Sequence, residues 1–80
     1  MDKSERQFEI VDIIGIIANE TKGWRKALTR VSWNGRDPKY DIRAWDSHYE
    51  KMGKGITLSE AELRRLKELI DEELNTLDSL

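Results

Sequence analysis

Hydrophobic residues fall into four short runs followed by one longer periodic segment. The first run, residues 8–18, is rich in isoleucine and valine, which favours a β-strand over a helix. Apolar residues occupy both alternating positions of this run, so the predicted strand is either covered on both sides or bent. Gly15 lies inside it and is the predicted position of a β-bulge.

The second run, residues 24–33, is followed by Asn34 and Gly35, a pair typical of β-hairpin loops. Its first half fits either a short helix over residues 24–28 or a strand, while its second half favours a strand. A loop over residues 34–38 leads to residues 39–45, which alternate strictly. One face carries Tyr40, Ile42 and Ala44, and the other carries Lys39, Asp41, Arg43 and Trp45. We expect the apolar face to be buried and the other to be a cationic outer face.

After a loop over residues 46–53, residues 55–58 form a predicted fourth strand with Ile56 and Leu58 facing inward. Ser59 and Glu62 form a capping box, which marks the start of a helix of about 19 residues and ~28 Å. The helix carries an apolar stripe at spacings of three and four. The stripe comprises Leu63, Leu66, Ile70, Leu74 and Leu77, widened by Leu69.

This stripe is wider than four short strands require, so we interpret the surplus as a homodimer contact formed by Leu66, Ile70, Leu74 and Leu77. Fraying of the last turn is the alternative. The predicted fold is therefore α+β, with four antiparallel strands followed by one C-terminal helix (ββββα). Residues 1–7 form a disordered lead-in, and residues 8–80 form the single domain.

Size and composition limit the class of protein. A chain of 80 residues buries only about 60% of its unfolded surface, so dimerisation is an economical way to enlarge the core. The absence of cysteine excludes disulfides and thiolate metal sites. The polar start resembles no secretory signal, and the longest apolar run is too short to span a bilayer. We expect a soluble cytoplasmic protein.

The charge distribution indicates a nucleic-acid partner. Residues 22–54 contain all three tryptophans, both tyrosines and nine basic residues against four acidic ones, a net charge of +5. Both flanking segments are acidic, so the total charge of −2 does not reveal this basic centre. Aromatic rings among cations suit an unpaired strand, because bases stack on rings and phosphates pair with cations.

The candidate nucleic-acid-binding residues lie in this central segment. They are Lys22, Trp24, Arg25, Lys26, Arg30, Trp33, Arg36, Lys39, Arg43, Trp45, Lys51, Lys54 and Gly55. Of these, Trp33 and Trp45 are expected to stack on bases, and Gly55 is expected to let the backbone approach a phosphate. The alternative for the tryptophans is a place in the core, and for Gly55 a tight turn. Arg25, Lys26 and Arg30 differ in parity, so they cannot all face one ligand.

The sequence shows no catalytic pattern. His48 is the single histidine, and without cysteine it cannot build the usual zinc site. Nucleophile elbows, phosphate loops and paired catalytic carboxylates are also missing from the sequence. We therefore expect a protein that is not an enzyme, with no metal, no cofactor, no small-molecule substrate and no membrane partner.

Two short motifs resemble a known family. The strand motif is Tyr40-Asp41-Ile42-Arg43-Ala44-Trp45, and the join before the helix is Gly53-Lys54-Gly55-Ile56-Thr57-Leu58. Their order and spacing resemble the single-stranded-DNA-binding domain of the transcriptional positive cofactor four (coactivator p15) family, especially its small bacterial YdbC-like members. The resemblance covers residues 8–75.

The resemblance implies a homodimer in which paired helices support two strongly curved sheets that bind single-stranded DNA with little sequence preference. Arg43, Lys54 and Gly55 match DNA-contact positions of the family, and Trp45 lies at or next to an aromatic position. Trp33, Arg36 and Lys39 are the nearest equivalents of its loop contacts. The process served is either transcription regulation or strand protection in replication and repair.

Two other interpretations remain open. An RNA-binding chaperone would use the same stacking chemistry, since stacking does not depend on the sugar. A protein-interaction module would use the aromatic and basic surface to dock an acidic peptide.

Overall fold

The computed structural model describes residues 7–80 and has the predicted order of four strands and one helix. The elements are β1 (Phe8–Asn19), β2 (Arg25–Trp33), β3 (Lys39–Trp45), β4 (Met52–Leu58) and α1 (Glu60–Asp78). The strands form one antiparallel sheet in the order β1-β2-β3-β4. The predicted fold class is confirmed. The predicted lead-in over residues 1–7, apart from Gln7, lies outside the described residues.

Strand β1 is interrupted by three shifts in its register with β2. They lie between Ile10 and Asp12, between Ile13 and Gly15, and between Ile16 and Ala18. The second shift lies next to the predicted bulge, but the residue left unpaired is Ile14, while Gly15 itself pairs with Leu28. Each extra residue bends a strand and increases its twist, which explains why apolar residues follow no simple alternation along β1.

The connections on both sides of β2 use left-handed backbone conformations. Lys22 and Gly23 have φ angles of 59° and 80° in a short 3-10 turn over Thr21–Gly23, and β2 begins two residues later. The helix considered for residues 24–28 is therefore wrong, because Arg25 is already paired with Trp45 on β3. After β2, Asn34 and Gly35 have φ angles of 53° and 76°, as a loop of this type requires.

The two faces of β3 are reversed relative to the prediction. Asp41, Arg43 and Trp45 are buried, whereas Tyr40 and Ile42 are only half-buried. Tyr40 and Ile42 lie on the side of the sheet that α1 approaches, where they border an open hollow together with Leu63 of the helix. Alternation groups residues by face, but it does not determine which face is covered more completely.

The region before the helix differs from the prediction in one boundary and in the exposure of one residue. Strand β4 begins at Met52 rather than at Gly55, so Met52, Gly53 and Lys54 belong to the sheet as well. Ile56 is 51% exposed, whereas it had been predicted to face inward. The helix itself begins as predicted: the Ser59 hydroxyl accepts from the amide of Glu62, and the Glu62 carboxylate accepts from the amide of Ser59.

Helix α1 covers only part of the sheet. Leu63 and Leu66 are half-buried, while the second half of the stripe is largely uncovered. Leu69, Ile70, Leu74 and Leu77 are 46–50% exposed. Among the described residues, no helix is both long and apolar enough to cross a membrane.

Candidate nucleic-acid interface

One side of the sheet, here called the aromatic face, carries Val31 and Trp33 of β2 and Arg43 and Trp45 of β3. Phe8, at the start of β1, lies between the two tryptophans. Its ring centroid is 6.0 Å from that of Trp33 and 5.3 Å from that of Trp45. The rings are tilted by 50° in both pairs, a favourable arrangement for aromatic side chains.

Trp45 forms the centre of the core instead of an exposed stacking surface. It is 0% exposed and belongs to a buried cluster with Ala27 and Val31. Phe8 covers one part of it, and Tyr49 covers another at a centroid distance of 6.1 Å. The expectation of an exposed Trp45 is therefore wrong, because Phe8 of β1 and Tyr49 of the loop after β3 fold over it.

Arg43 is held in a buried polar network. Its guanidinium donates from Nε and Nη2 to the two carboxylate oxygens of Asp41, with Nη2 2.9 Å from Oδ2. Thr57 of β4 donates its hydroxyl to the same Oδ2 at 2.9 Å. Asp41 is 0% exposed and Arg43 is 9% exposed. The paired groups keep a fixed geometry, because separating them would leave a buried charge without its partner.

Two guanidinium groups stack on aromatic rings of this face. The Cζ atom of Arg43 lies 5.0 Å from the centroid of Trp33, and that of Arg25 lies 5.5 Å from the centroid of Tyr49. Arg25 also donates to the carbonyl of Gly23 at 3.0 Å. Both ring centroids are within the range of cation–π attraction, so each half-buried ring is held in place by a cation.

A polar hollow opens where β2 ends. It has a volume of about 340 Å³ and is lined by Trp33, Asn34, Arg43 and Thr57. Asn34 is anchored to the start of β1, because its Oδ1 accepts from the amide of Gln7 and its own amide donates to the Gln7 carbonyl. The aromatic wall and the three polar side chains therefore come from β2, β3, β4 and the intervening loop.

The loop before β4 positions Tyr49. The Asp46 carboxylate accepts from the amides of Glu50 and Lys51 at 2.8 and 2.9 Å, and these bonds hold the pKa of Asp46 below its usual value. Tyr49 has a φ angle of 58°, a conformation uncommon for a bulky residue. The closed loop thus fixes the ring that lies against Trp45 and Arg25.

Gly55 is required by the packing of β4 on β3. A Cβ atom at this position would lie 2.2 Å from the Cβ of Arg43 and 2.3 Å from the carbonyl oxygen of Ile42. Gly55 lies inside β4, so it does not form the tight turn considered from the sequence. Its small size allows the strand to pass directly over the Arg43 backbone.

The remaining predicted cations are distributed around the sheet. Those that are exposed are Lys22, Lys26, Arg36, Lys39, Lys51 and Lys54. The Nζ atom of Lys26 lies 3.8 Å from Oε2 of Glu20. The register places Lys26 and Arg30 opposite Ala44 and Tyr40, which puts them on the helix side, while Arg25 lies on the aromatic face. Trp24 is half-buried beside the 3-10 turn.

Sequence reasoning missed three residues of this site. Tyr49 could have been noticed as the single aromatic residue in an otherwise polar loop. Thr57 carries no comparable signal, because its hydrogen bond to Asp41 depends on the pairing of β4 with β3. Asp41 was placed on the same face of β3 as Arg43 by the strand alternation, but its ion pair with Arg43 was not predicted.

On the opposite side of the sheet, an apolar hollow of about 620 Å³ lies between the helix and the strands. Its apolar lining includes Ile17, Leu28, Ile42, Leu66 and Ile70. Ile17 is 55% exposed and Leu77, farther along the helix, is 50% exposed. This is a large apolar surface for a chain of this size to leave open.

Comparison with known proteins gives two matches. The model of the family described as transcriptional coactivator p15 (PC4) matches residues 21–69, which include β2, β3, β4 and the first half of α1. An uncharacterized protein of Treponema pallidum (strain Nichols) is 44% identical over 64 residues, covering 80% of this chain and 75% of that protein. The family model matches more than half of the chain, and the observed four strands and one helix agree with the fold that the resemblance implies. This protein therefore belongs to the transcriptional coactivator p15 (PC4) family.

Proposed function

We propose that this protein binds single-stranded DNA with little overall sequence preference, through the aromatic face of a homodimer. The observation that carries this proposal is the pair of ring–guanidinium stacks on that face, Arg43 on Trp33 and Arg25 on Tyr49. Such stacks combine flat apolar surfaces with positive charge, the two features that bind unpaired strands. Membership of the family supports the proposal.

The proposed mechanism assigns stacking and charge to different residues. Trp33 and Tyr49, which are half-buried, stack on bases in place of the buried Trp45. Arg43 braces the Trp33 ring. Phosphates are contacted by exposed cations near this face, for which the candidates are Lys22, Arg36, Lys39, Lys51 and Lys54. Replacing counterions at each contact makes affinity dependent on salt.

The proposed homodimer forms through the helix side. A second copy of this chain is the occupant that fits the apolar hollow, because the uncovered stripe of Ile70, Leu74 and Leu77 continues from it along α1. Burying these residues against an identical helix adds the core that a chain of this size lacks. The aromatic faces then remain free for the strand.

The dimer is tested by sedimentation of Leu74→Gln beside Glu73→Gln. The first change removes an apolar residue from the stripe, whereas the second changes an exposed neighbour. We expect Leu74→Gln to shift the protein toward monomer and Glu73→Gln to leave it dimeric. A wild-type protein that sediments as a monomer at micromolar concentration would remove the dimer from the proposal.

DNA binding is tested by tryptophan fluorescence during titration with an oligo-dT strand, with the matched duplex as the control. We expect quenching by the single strand that weakens with salt and is much smaller with the duplex. Trp33→Phe is expected to lose most of the quenching, because Trp45 is buried. Titration with a matched RNA strand and with an acidic peptide separates the two alternatives, and preferential binding of either would replace the DNA proposal.

The salt dependence of DNA binding distinguishes cations that contact phosphates from cations that are already paired with a carboxylate. Lys54→Ala is expected to lower the slope of log affinity against log salt by about 0.7, the value for one contact with a single strand. The double change Asp41→Asn with Arg43→Gln replaces an ion pair of zero net charge by two uncharged side chains, so the slope should stay the same. A slope that falls equally in both proteins would show that Arg43 acts as a free phosphate contact.

Transcription is the process favoured by the family's description. Binding to the exposed strand of a melted duplex is the step that the proposed chemistry supports. Strand protection in replication or repair would use the same contacts, and the phenotype of a strain carrying Trp33→Ala would distinguish the two roles.

A further inference from the structure

The polar hollow has the dimensions and chemistry of a nucleobase site. Its volume of about 340 Å³ falls within the usual range of about 300–1,000 Å³ for ligand sites. Trp33 provides an aromatic wall, and Asn34, Arg43 and Thr57 provide three polar groups. Stacking on the ring would present the edge of a base to these groups.

The hydrogen bonds already formed determine what each group can still offer. Asn34 Oδ1 accepts from the amide of Gln7, which fixes the orientation of the side chain and leaves its NH2 group without an acceptor among residues 7–80. Asn34 is therefore a donor toward the hollow. A donor amide at Gln7 requires an oxygen opposite it, so the two ends of the Asn34 amide cannot be exchanged.

Thr57 offers the opposite character. Its hydroxyl hydrogen is donated to Asp41, whose ionised carboxylate can only accept. The lone pairs of Thr57 Oγ1 are the part left for a ligand. Thr57 is therefore an acceptor toward the hollow.

Arg43 supplies a second donor beside this acceptor. Four of its five N–H groups meet Asp41, Met52 Sδ and the Gly53 carbonyl, and one N–H of Nη2 has no acceptor within the described part of the chain. Nη2 and Thr57 Oγ1 both contact Asp41 Oδ2 at 2.9 Å. Their shared partner places a donor and an acceptor side by side.

We propose that this hollow holds one base of the bound strand and reads the Watson–Crick edge of thymine. That edge presents O4, N3–H and O2, an acceptor, a donor and a second acceptor, which matches the donors of Asn34 and Arg43 and the acceptor of Thr57. Cytosine presents one donor followed by two acceptors and leaves at least one group unmatched. Adenine presents only the N6 amino donor and the N1 acceptor on this edge, so one of the two donors of the hollow stays unmatched.

This inference rests on the proposed binding of single-stranded DNA and adds a preference at one position of the strand. The remaining contacts, made to phosphates and ring faces, carry no sequence information. A protein with one such site would bind strands of any sequence, yet bind those rich in thymine more tightly.

The test measures the anisotropy of labelled oligo-dT, oligo-dU and oligo-dC of equal length with the full chain. All three strands are pyrimidines, which do not form strong stacks of their own. We expect oligo-dT and oligo-dU to bind alike, since they share the edge, and oligo-dC to bind about tenfold more weakly. Equal binding of oligo-dT and oligo-dC would overturn the thymine site while leaving strand binding intact.

Asn34→Asp is the decisive variant. Aspartate tolerates the left-handed backbone and still accepts from the Gln7 amide, but it replaces the NH2 donor by an acceptor. The added negative charge should weaken the binding of all strands. The ratio of the affinity for oligo-dC to that for oligo-dT should nevertheless rise, because a carboxylate accepts from the amino group of cytosine. A ratio that stays at the wild-type value would overturn the proposal.

Thr57→Val and Thr57→Ser form a matched pair on the acceptor. Valine keeps the branched shape but lacks the hydroxyl, so the thymine preference should fall, while serine should retain it. Retained preference in Thr57→Val together with its loss in Thr57→Ser, with melting temperatures unchanged, would indicate a role of shape alone and overturn the edge contact. Failure of every single strand to bind the wild-type protein would reject the proposed function itself, and the thymine site with it.

Discussion

The Arg43 guanidinium is bound by the carboxylate of Asp41, which lies two residues earlier on the same strand and faces the same side of the sheet. Both side chains are buried. We expect Asp41→Ala to destabilise the fold by about 3–5 kcal/mol, because it leaves a buried cation without its partner.

Urea denaturation of Asp41→Ala, Arg43→Ala and the double variant measures the coupling. The double variant should be less destabilised than the sum of the two single changes, since it strands no charge. Additive losses would mean that the two groups do not depend on each other.

We expect substitution of Trp45 to reduce stability and substitution of Trp33 to reduce binding of DNA. Trp45→Ala empties the centre of the core and should reduce the free energy of unfolding by about 3–5 kcal/mol. Trp33→Ala should have a smaller effect on unfolding but weaken binding of a single strand by about 1–3 kcal/mol, the value of one stacked base. Urea denaturation and anisotropy titration of both variants check this division, and normal binding by Trp33→Ala would remove Trp33 from the interface.

Two glycines in the sheet provide a matched pair. Gly55→Ala forces a methyl group against the Arg43 Cβ and should destabilise the protein by about 3 kcal/mol or more. Gly15→Ala meets nothing within 4 Å and has no left-handed backbone, so its effect should stay within about 0.5 kcal/mol. Thermal melting of the two variants is the measurement. Similar melting temperatures would indicate that β4 can move away from β3.

The Asp46 loop predicts a dependence on pH. Hydrogen bonds from the amides of Lys51 and Glu50 lower the pKa of Asp46 below 3.8 in the folded state. The ionised carboxylate therefore stabilises the loop fully at pH values above about 4. This stabilisation is lost as the pH falls below that value and Asp46 becomes protonated.

Asp46→Asn isolates this contribution. The variant should melt below the wild type at pH 6, and the difference should narrow as the pH falls below the unfolded value of 3.8, because protonation of the carboxyl removes the stabilisation. Glu62 also has a lowered pKa, mainly through its bond from the Ser59 amide, so both proteins lose stability in acid. A constant difference across this range would show that the charge of Asp46 is not involved.

The sequence predicted local features more accurately than it predicted burial. The Ser59–Glu62 cap depends on residues three apart, and the alternation of β3 follows from strand geometry. Trp45 was placed on the wrong surface because its cover comes from Phe8, far away along the chain, and from a loop. The thickness of each covering layer is a long-range property that alternation does not contain.

Functional residues were predicted where they are chemically conspicuous. Trp33 and Arg43 were each identified as candidate binding residues, but their stacking on one another was not predicted. Asp41 was placed on the same face as Arg43, but that face was predicted to be a cationic outer surface, so the buried ion pair of the two residues was not predicted. Thr57 offered no signal until β4 was placed beside β3.

The three register shifts of β1 have a consequence for how this chain behaves in a crowded cell. β1 is an edge strand with exposed isoleucines, the kind of strand that invites growth of a sheet from one molecule to the next. Each shift interrupts the even row of free amide and carbonyl groups that an added strand would need. These interruptions make the exposed edge of β1 a poor template for fibrils despite its isoleucines.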